Sequence, residues 1–266
     1  MPDIDITSQN TARVLNRKPS CLSLFLLIGM LCSVHAHSAS RAEIQELRTL
    51  SYSVITNVLV YHNPNGNPYG LDNAEAYQRD LRLLLQSASR LRLSKAVNHT
   101  KGLSAAITDL RHLPNSRAEI RDITPPYSLW LPQVIEQQAL MNALLSDLYE
   151  NQATVSERQQ KLHQLSWDIE RLLLSYQISA FPNLVAQTWI LDESSVLALD
   201  ASIQNRFEML SKDPELTASL GNVFTRYQSI RRNLLDPATN WAPSAVARYL
   251  LRVAKELDVL AKNIAG

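Results

Sequence analysis

Apolar residues recur at alternating spacings of three and four along almost the whole chain after its first forty residues. In the last stripe the alternation has no exception: Val246, Leu250, Val253, Leu257, Leu260 and Ile264. This period places the apolar side chains on one face of an α-helix, and helices with such faces pack at shallow angles, as in coiled coils. The pattern therefore predicts a helical fold held together by buried apolar seams.

About eight such stripes follow one another, separated by short segments rich in Pro, Asn and Gly. The chain has only six glycines, which leaves little material for strand hairpins or phosphate-binding loops. We expect an all-α antiparallel helical bundle of about eight helices. A boundary near Asn151 would give two joined four-helix bundles, an N-terminal half at 39–151 and a C-terminal half at 152–266. A single elongated bundle is the alternative.

Local signals predict where several helices begin. Three capping boxes mark helix starts: Ser40–Glu43, Asp72–Glu75 and Thr154–Glu157. Pro132, together with the Pro125–Pro126 pair, marks the entry to another helix, and Pro243 starts the last one. A shorter helix is expected from near Leu103 to His112, after Gly102.

The first 38 residues resemble a secretory signal peptide in their order of regions. Basic residues precede an apolar run from Cys21 to Val34, and small residues follow from Ala36 to Ser40. The run of about fourteen residues covers only about two thirds of a bilayer core at the helical rise. We therefore predict a signal peptide at 1–38, cleavage between Ala36 and Ser40, and a periplasmic or secreted product. An uncleaved anchor is the alternative.

Removal of the leader would change both the thiol content and the charge of the chain. Cys21 and Cys32 both lie in the leader, so the mature part would have no disulfide and no thiolate nucleophile. The whole chain has a formal net charge of +1, and the leader carries one more base than acid. The mature part is thus formally neutral, which argues against a general nucleic-acid partner.

The sequence shows no constellation of catalytic or metal-ligating residues. No two histidines of the mature part lie three to five residues apart, and no nucleophile elbow, Walker loop or dinucleotide motif occurs. Close acidic pairs such as Asp168 with Glu170 are interpreted as solvated helix faces. We predict no catalytic residue, no metal site, no cofactor and no permanent membrane span.

Two segments are candidate binding sites. A basic ridge formed by Arg79, Arg82 and Arg90 is expected on one helix face, opposite an apolar stripe. Its alternative interpretation is a solvated face that pairs with acids of neighbouring helices. The second segment is an Asn-rich loop on a rigid scaffold, a common location for binding residues. Its candidates are Asn63, Asn65, Asn67 and Tyr69, and a plain polar connection is the alternative.

These features favour a non-enzymatic exported helical-bundle protein that binds an envelope protein or an anionic polymer in an adaptor or accessory role. A periplasmic bundle that binds or senses a small molecule is the main alternative. An enzyme acting on cell-wall or polysaccharide substrates is a third class, because catalytic carboxylates can lie far apart in sequence.

The precursor is expected to be cut between Ala36 and Ser40, because its apolar run is too short for a lasting membrane span. Intact-mass spectrometry of the exported product measures the new N-terminus. An uncut N-terminus recovered in a membrane fraction would contradict cleavage and indicate an anchor.

Overall fold

Helical backbone accounts for almost all of the chain that the computed structural model describes, namely residues 39–63, 70–110, 127–152, 155–181 and 193–264. Within these ranges there are eight α-helices and no β-strand, which confirms the predicted all-α fold. In chain order the helices are α1 (Arg41–Tyr61), α2 (Leu71–Arg90), α3 (Ser94–Leu110), α4 (Tyr127–Glu150), α5 (Glu157–Ile178), α6 (Glu193–Ser211), α7 (Thr217–Leu235) and α8 (Pro243–Ile264).

The first helix begins at its predicted capping box. Ser40 Oγ accepts a hydrogen bond from the backbone N of Glu43 at 3.3 Å. The Glu43 carboxylate in turn accepts one from the backbone N of Ser40 at 3.0 Å. Two backbone donors that the helix leaves unpaired are thereby satisfied, and α1 has a defined start.

The other two predicted boxes are displaced by two residues. The cap of α5 is Ser156, whose hydroxyl accepts from the backbone N of Gln159 at 3.2 Å, while Thr154 lies outside the described residues. α2 has Gly70 as its N-cap, and Asp72 lies in the first turn. The predicted cap at Asp72 is therefore wrong, although its negative charge still suits the positive end of the helix dipole.

Two further helix starts differ from the prediction. α3 begins at Ser94, and Gly102 lies inside it rather than before it. A Cβ atom at position 102 would come within 2.7 Å of the side-chain amide of Gln137 on α4, so a larger residue there requires the end of that side chain to move. Pro132 lies inside α4, which begins at Tyr127, whereas Pro243 is the first residue of α8 as predicted.

The eight helices pack as two rings of four. In the first ring α1 contacts α2 and α4, and α3 lies between α2 and α4. In the second ring α5 contacts α6 and α8, and α7 lies between those two. α1 also contacts α5 and α8, so it joins the rings within one compact unit. The loop near Asn151 separates the rings in sequence, but whether the two halves are separate domains stays a prediction.

The apolar interior consists of three clusters, two of which extend across the joint: Val60 of α1 belongs to the cluster of the second ring, and Ile178 of α5 belongs to one cluster of the first ring. The second ring encloses one cluster, which contains Phe207, Tyr227 and the stripe of α8. The first ring contains two clusters, one around Ile55 and Leu131 and the other nearer the start of α1. Among the described helices, none is both long and apolar enough to cross a bilayer.

A buried polar layer lies where α1 meets α5 and α8. Gln45 Nε2 and Thr49 Oγ1 of α1 donate to the carboxylate of Asp258 on α8, at 3.2 and 2.5 Å. Ser166 Oγ of α5 donates to the backbone carbonyl of Ala254 on α8 at 3.2 Å. Directional bonds of this kind are formed only when the three helices have this rotation and register.

Arg48 of α1 extends the polar layer towards α4 and α5. Its guanidinium carbon lies 4.1 Å from the ring centroid of Trp167 and 5.1 Å from that of Tyr149. Burial lowers the pKa of Arg48, while the charge of the nearby Glu170 raises it. The flat cation packs against both rings, and cation–π attraction replaces part of its lost hydration.

His163 of α5 is buried in the same layer. It is 2% exposed, and its Nδ1 shares a hydrogen bond with the Tyr149 hydroxyl at 2.9 Å. Burial, reinforced by the charges of Arg48 and Arg41, lowers the pKa of His163 to about 4. The imidazole is therefore neutral at pH 7.

The acidic pair Asp168 and Glu170 is also buried, so its interpretation as a solvated face is wrong. Asp168 is 2% exposed and accepts from Arg206 of α6 at 3.1 Å. Glu170 is 0% exposed, and neither of its carboxylate oxygens has a hydrogen-bond partner among the described residues. Burial raises the pKa of Glu170 well above its usual range, and the charge of Asp258 raises it further. Burial also raises the pKa of Asp258 to about 6.

Leu257→Asp should destabilise the fold by about 3 kcal/mol or more, because it removes apolar burial and places a charge in the second ring. Leu257 is 0% exposed, whereas Val259 on the same helix is 50% exposed. Thermal melts followed by circular dichroism should therefore show a large loss for Leu257→Asp and little change for the control Val259→Asp. A melting temperature of Leu257→Asp that is unchanged from the wild type would show that α8 is a detachable arm.

Glu170→Gln should reduce the loss of stability that accompanies a rise in pH above the ordinary range of a carboxyl group. Because the folded-state pKa of Glu170 is raised above its usual value of 4.5, its contribution is fully present below that value and is lost as the pH rises towards the folded-state pKa. Other titrating groups, such as His163, are common to the wild type and the variant, so the difference between their melting temperatures isolates the carboxyl. As the pH rises above 4.5, the wild type should lose about 2 °C or more relative to the variant.

Below the usual carboxyl pKa of 4.5 the difference between the wild type and Glu170→Gln should be smallest, because the acid is then protonated in both the folded and the unfolded state. Glu150→Gln changes an exposed carboxyl of α4 and is the matched control. Parallel melting curves for wild type and Glu170→Gln across the whole range would contradict a raised pKa.

Candidate functional site

Two neighbouring helices of the second ring carry an excess of positive charge. Together α7 and α8 contain seven basic and two acidic residues, although the whole chain has a net charge of only +1. The basic residues are Arg226, Arg231, Arg232, Arg248, Arg252, Lys255 and Lys262, and the acids are Glu256 and Asp258. The two helices therefore form a basic face on a protein that is close to neutral.

Four side chains of this face line an open groove with a volume of about 270 Å³, here called the arginine groove. They are Arg226 of α7 and Arg248, Tyr249 and Arg252 of α8. The guanidinium carbon of Arg248 lies 5.7 Å from the centroid of the Tyr249 ring. Tyr249 is 38% exposed, so the groove offers three cations beside an accessible aromatic ring.

A carboxylate, Glu256, holds two of these arginines in place. It accepts from Arg226 Nη1 and, at 2.9 Å, from Arg252 Nε, whose side chain is 65% exposed. Arg248 forms no ion pair with any of the described residues. A guanidinium has five N–H donors, so each arginine keeps donors for a further acceptor. One carboxylate offsets only part of the charge of three arginines.

α7 is held in position by a buried carboxylate of α6. Asp200 is 2% exposed and accepts from the Tyr227 hydroxyl at 2.6 Å and from Arg231 Nη2 at 2.6 Å. Burial raises the pKa of Asp200, but the hydrogen bonds from Arg231, Tyr227 and Gln204 outweigh it and hold the pKa below its usual range. An ionised Asp200 thus anchors the helix that carries Arg226.

α8 is held on its opposite side by the apolar seam with α5 and by the bonds from Thr49 and Gln45 to Asp258. These contacts turn the apolar residues inwards and leave Arg248 and Arg252 exposed. The groove is consequently formed by two helices whose backbones are held by interior contacts. A rigid arrangement of this kind loses little conformational freedom when an anion binds.

The chemistry of the groove suits recognition of an anion. Guanidinium groups donate two parallel hydrogen bonds to carboxylate, sulfate or phosphate oxygens, and an aromatic ring can stack beside them. The four lining side chains include no histidine, cysteine or carboxylate that would serve as a general base or nucleophile. Nor do the described residues contain a group of three or more His, Cys, Asp and Glu side chains placed to hold a metal ion.

The predicted basic ridge lies on the surface of α2. Arg79, Arg82 and Arg90 are all exposed, as is the intervening Gln86. Arg79 Nε contacts the carboxylate of Asp80 at 2.9 Å, and Arg90 contacts Glu43 of α1 at 3.8 Å. The three arginines are therefore exposed on α2, and two of them have an acid beside them. The role of this ridge in binding stays a prediction.

The Asn-rich loop contributes little to the described structure. Asn63 follows the end of α1 and is 0% exposed, so its side chain faces the interior. Asn65, Asn67 and Tyr69 lie outside the described residues. The proposed binding role of this loop stays a prediction.

The arginine groove was missed because its residues come from two helices more than twenty positions apart in sequence. One signal was present: Arg248, Arg252, Lys255 and Lys262 recur at helical spacings in the last stripe-bearing segment. The meeting of Arg226 with Arg248 and Arg252 depends on the packing of α7 against α8, and no short-range pattern contains that information.

Comparisons with known proteins assign no family to the chain. No protein family model matches this sequence, and no curated protein and no solved structure shows significant similarity to it.

Proposed function

We propose that this chain is a non-enzymatic, exported helical-bundle protein that binds an anionic partner of the cell envelope through the arginine groove. The observation that carries the proposal is the convergence of Arg226, Arg248 and Arg252 around an open cavity beside Tyr249. Three exposed or partly exposed guanidinium groups with one shared carboxylate leave a local excess of positive charge.

The magnitude of each contact supports a partner with several anionic groups. A single exposed ion pair contributes about 0.2–1 kcal/mol, because water and salt screen it. Three guanidinium groups that bind the same partner, with an aromatic surface beside them, give a higher affinity than a single guanidinium group gives. The groove therefore suits an envelope partner that presents repeated phosphate, sulfate or carboxylate groups.

The double variant Arg248→Gln with Arg252→Gln should bind such a partner about tenfold more weakly at low salt, since it loses two contacts of about 0.7 kcal/mol each. Binding is measured by fluorescence anisotropy against labelled inorganic polyphosphate and labelled polygalacturonate across a salt titration. The variant should also show a shallower salt dependence. Both substitutions are on the surface, so its melting temperature should stay close to that of the wild type.

The matched control is Arg82→Gln with Arg90→Gln, which removes the same charge from the α2 ridge. It should bind like the wild type. If the control loses affinity while the groove variant does not, the anion site lies on the α2 ridge and the proposal for the groove is wrong. If neither probe binds at low salt, an anion-binding function is excluded.

A further inference from the structure

The basic surface of α8 continues beyond the arginine groove as a single row. Its members are Arg248, Arg252, Lys255 and Lys262, at steps of four, three and seven residues, and all four are exposed. At about 100° per residue these steps keep the side chains on one face of the helix. Val259, which is 50% exposed, lies on the same face between the two lysines. We call this surface the α8 row.

The α8 row is long and narrow. With a helical rise of about 1.5 Å per residue, its ends are about 21 Å apart along the axis of α8. The basic surface is wider only at its Arg248 end, where Arg226 and Tyr249 complete the arginine groove. The positive charges therefore follow one another in a line instead of spreading over a broad patch.

Acidic residues interrupt the row very little. α7 contains no acid, and the acids of α8 are both engaged elsewhere. Glu256 pairs with Arg226 and Arg252, and Asp258 accepts from Thr49 and Gln45 in the joint with α1. Among the described residues, neither lysine of the row has an ion-pair partner.

We infer that the partner of the arginine groove is a linear polyanion that lies along the α8 row, with one anionic group in the groove. This inference rests on the proposed function and names its partner class. A flexible chain with regularly repeated phosphate, sulfate or carboxylate groups presents its charges in a line, as the row does. Such a chain also releases condensed counterions when it binds, which adds an affinity that a single anion lacks.

The test compares anions of increasing length on the full mature chain. Orthophosphate, triphosphate and longer linear polyphosphates are titrated calorimetrically at several salt concentrations. Affinity should rise with length until the row is covered, and the slope of log affinity against log salt should steepen. Dextran sulfate and polygalacturonate, run in the same way, distinguish phosphate, sulfate and carboxylate polymers as the source of the charge.

Lys255→Gln with Lys262→Gln is the decisive variant, because it shortens the row and leaves the groove intact. It should reduce the salt slope for long polyphosphate by about 1.5, which corresponds to two lost contacts, and leave triphosphate binding unchanged. Lys95→Gln with Lys101→Gln removes two exposed lysines of α3 and is the matched control. The control should show the wild-type slope.

The outcomes separate this inference from the proposed function. If short and long anions bind equally well and the Lys255 and Lys262 variant behaves like its control, the polymer is excluded while anion binding by the groove survives. If the variant loses long polyphosphate selectively, the polymer is supported. If no anion of any length binds, both the inference and the proposed function are wrong.

Discussion

The hydrogen bonds across the joint between the two rings determine how the rest of the protein is arranged. α1 is buried along most of its length, and it brings arginine, glutamine and serine side chains into the interior. Buried polar groups are costly unless they are paired, so Asp258 requires Thr49 and Gln45, and these residues meet in only one register. Apolar seams alone would tolerate a sliding or rotated joint, whereas these bonds do not. Glu170, which has no hydrogen-bond partner among the described residues, is the part of this joint that stays costly.

The orientation of α8 follows from that joint, and it determines which side chains of this helix face solvent. Its apolar stripe faces α5, its one inward carboxylate faces α1, and its cations face solvent. α7 is oriented independently by the bonds between Asp200 and Arg231. The two interior anchors together bring Arg226 beside Arg248 and Arg252. The proposed anion site thus depends on two inward-facing carboxylates, Asp200 of α6 and Asp258 on the inner side of α8.

The charged side chains of this protein fall into two sets, one exposed at the proposed binding surface and one buried in the interior. Arginines at the surface keep most of their hydration and offer weak, numerous and salt-sensitive contacts. Arg48, by contrast, is buried against Trp167 and Tyr149 and serves the structure. The sequence contains similar numbers of basic and acidic residues, so its net charge conceals this separation. A linear polyanion would use only the exposed set.

The sequence by itself determined the helical fold, because a period of three and four is a property of the local chain and needs no partner to be recognised. It also determined the start of α1, whose cap is completed within four residues by Ser40 and Glu43. Tertiary structure decided the burial of Asp168, Glu170 and His163, and the meeting of the arginines of α7 and α8. The physical reason is the same in each case: burial and charge convergence depend on which helix packs against which, and that choice is made by contacts far apart in the sequence.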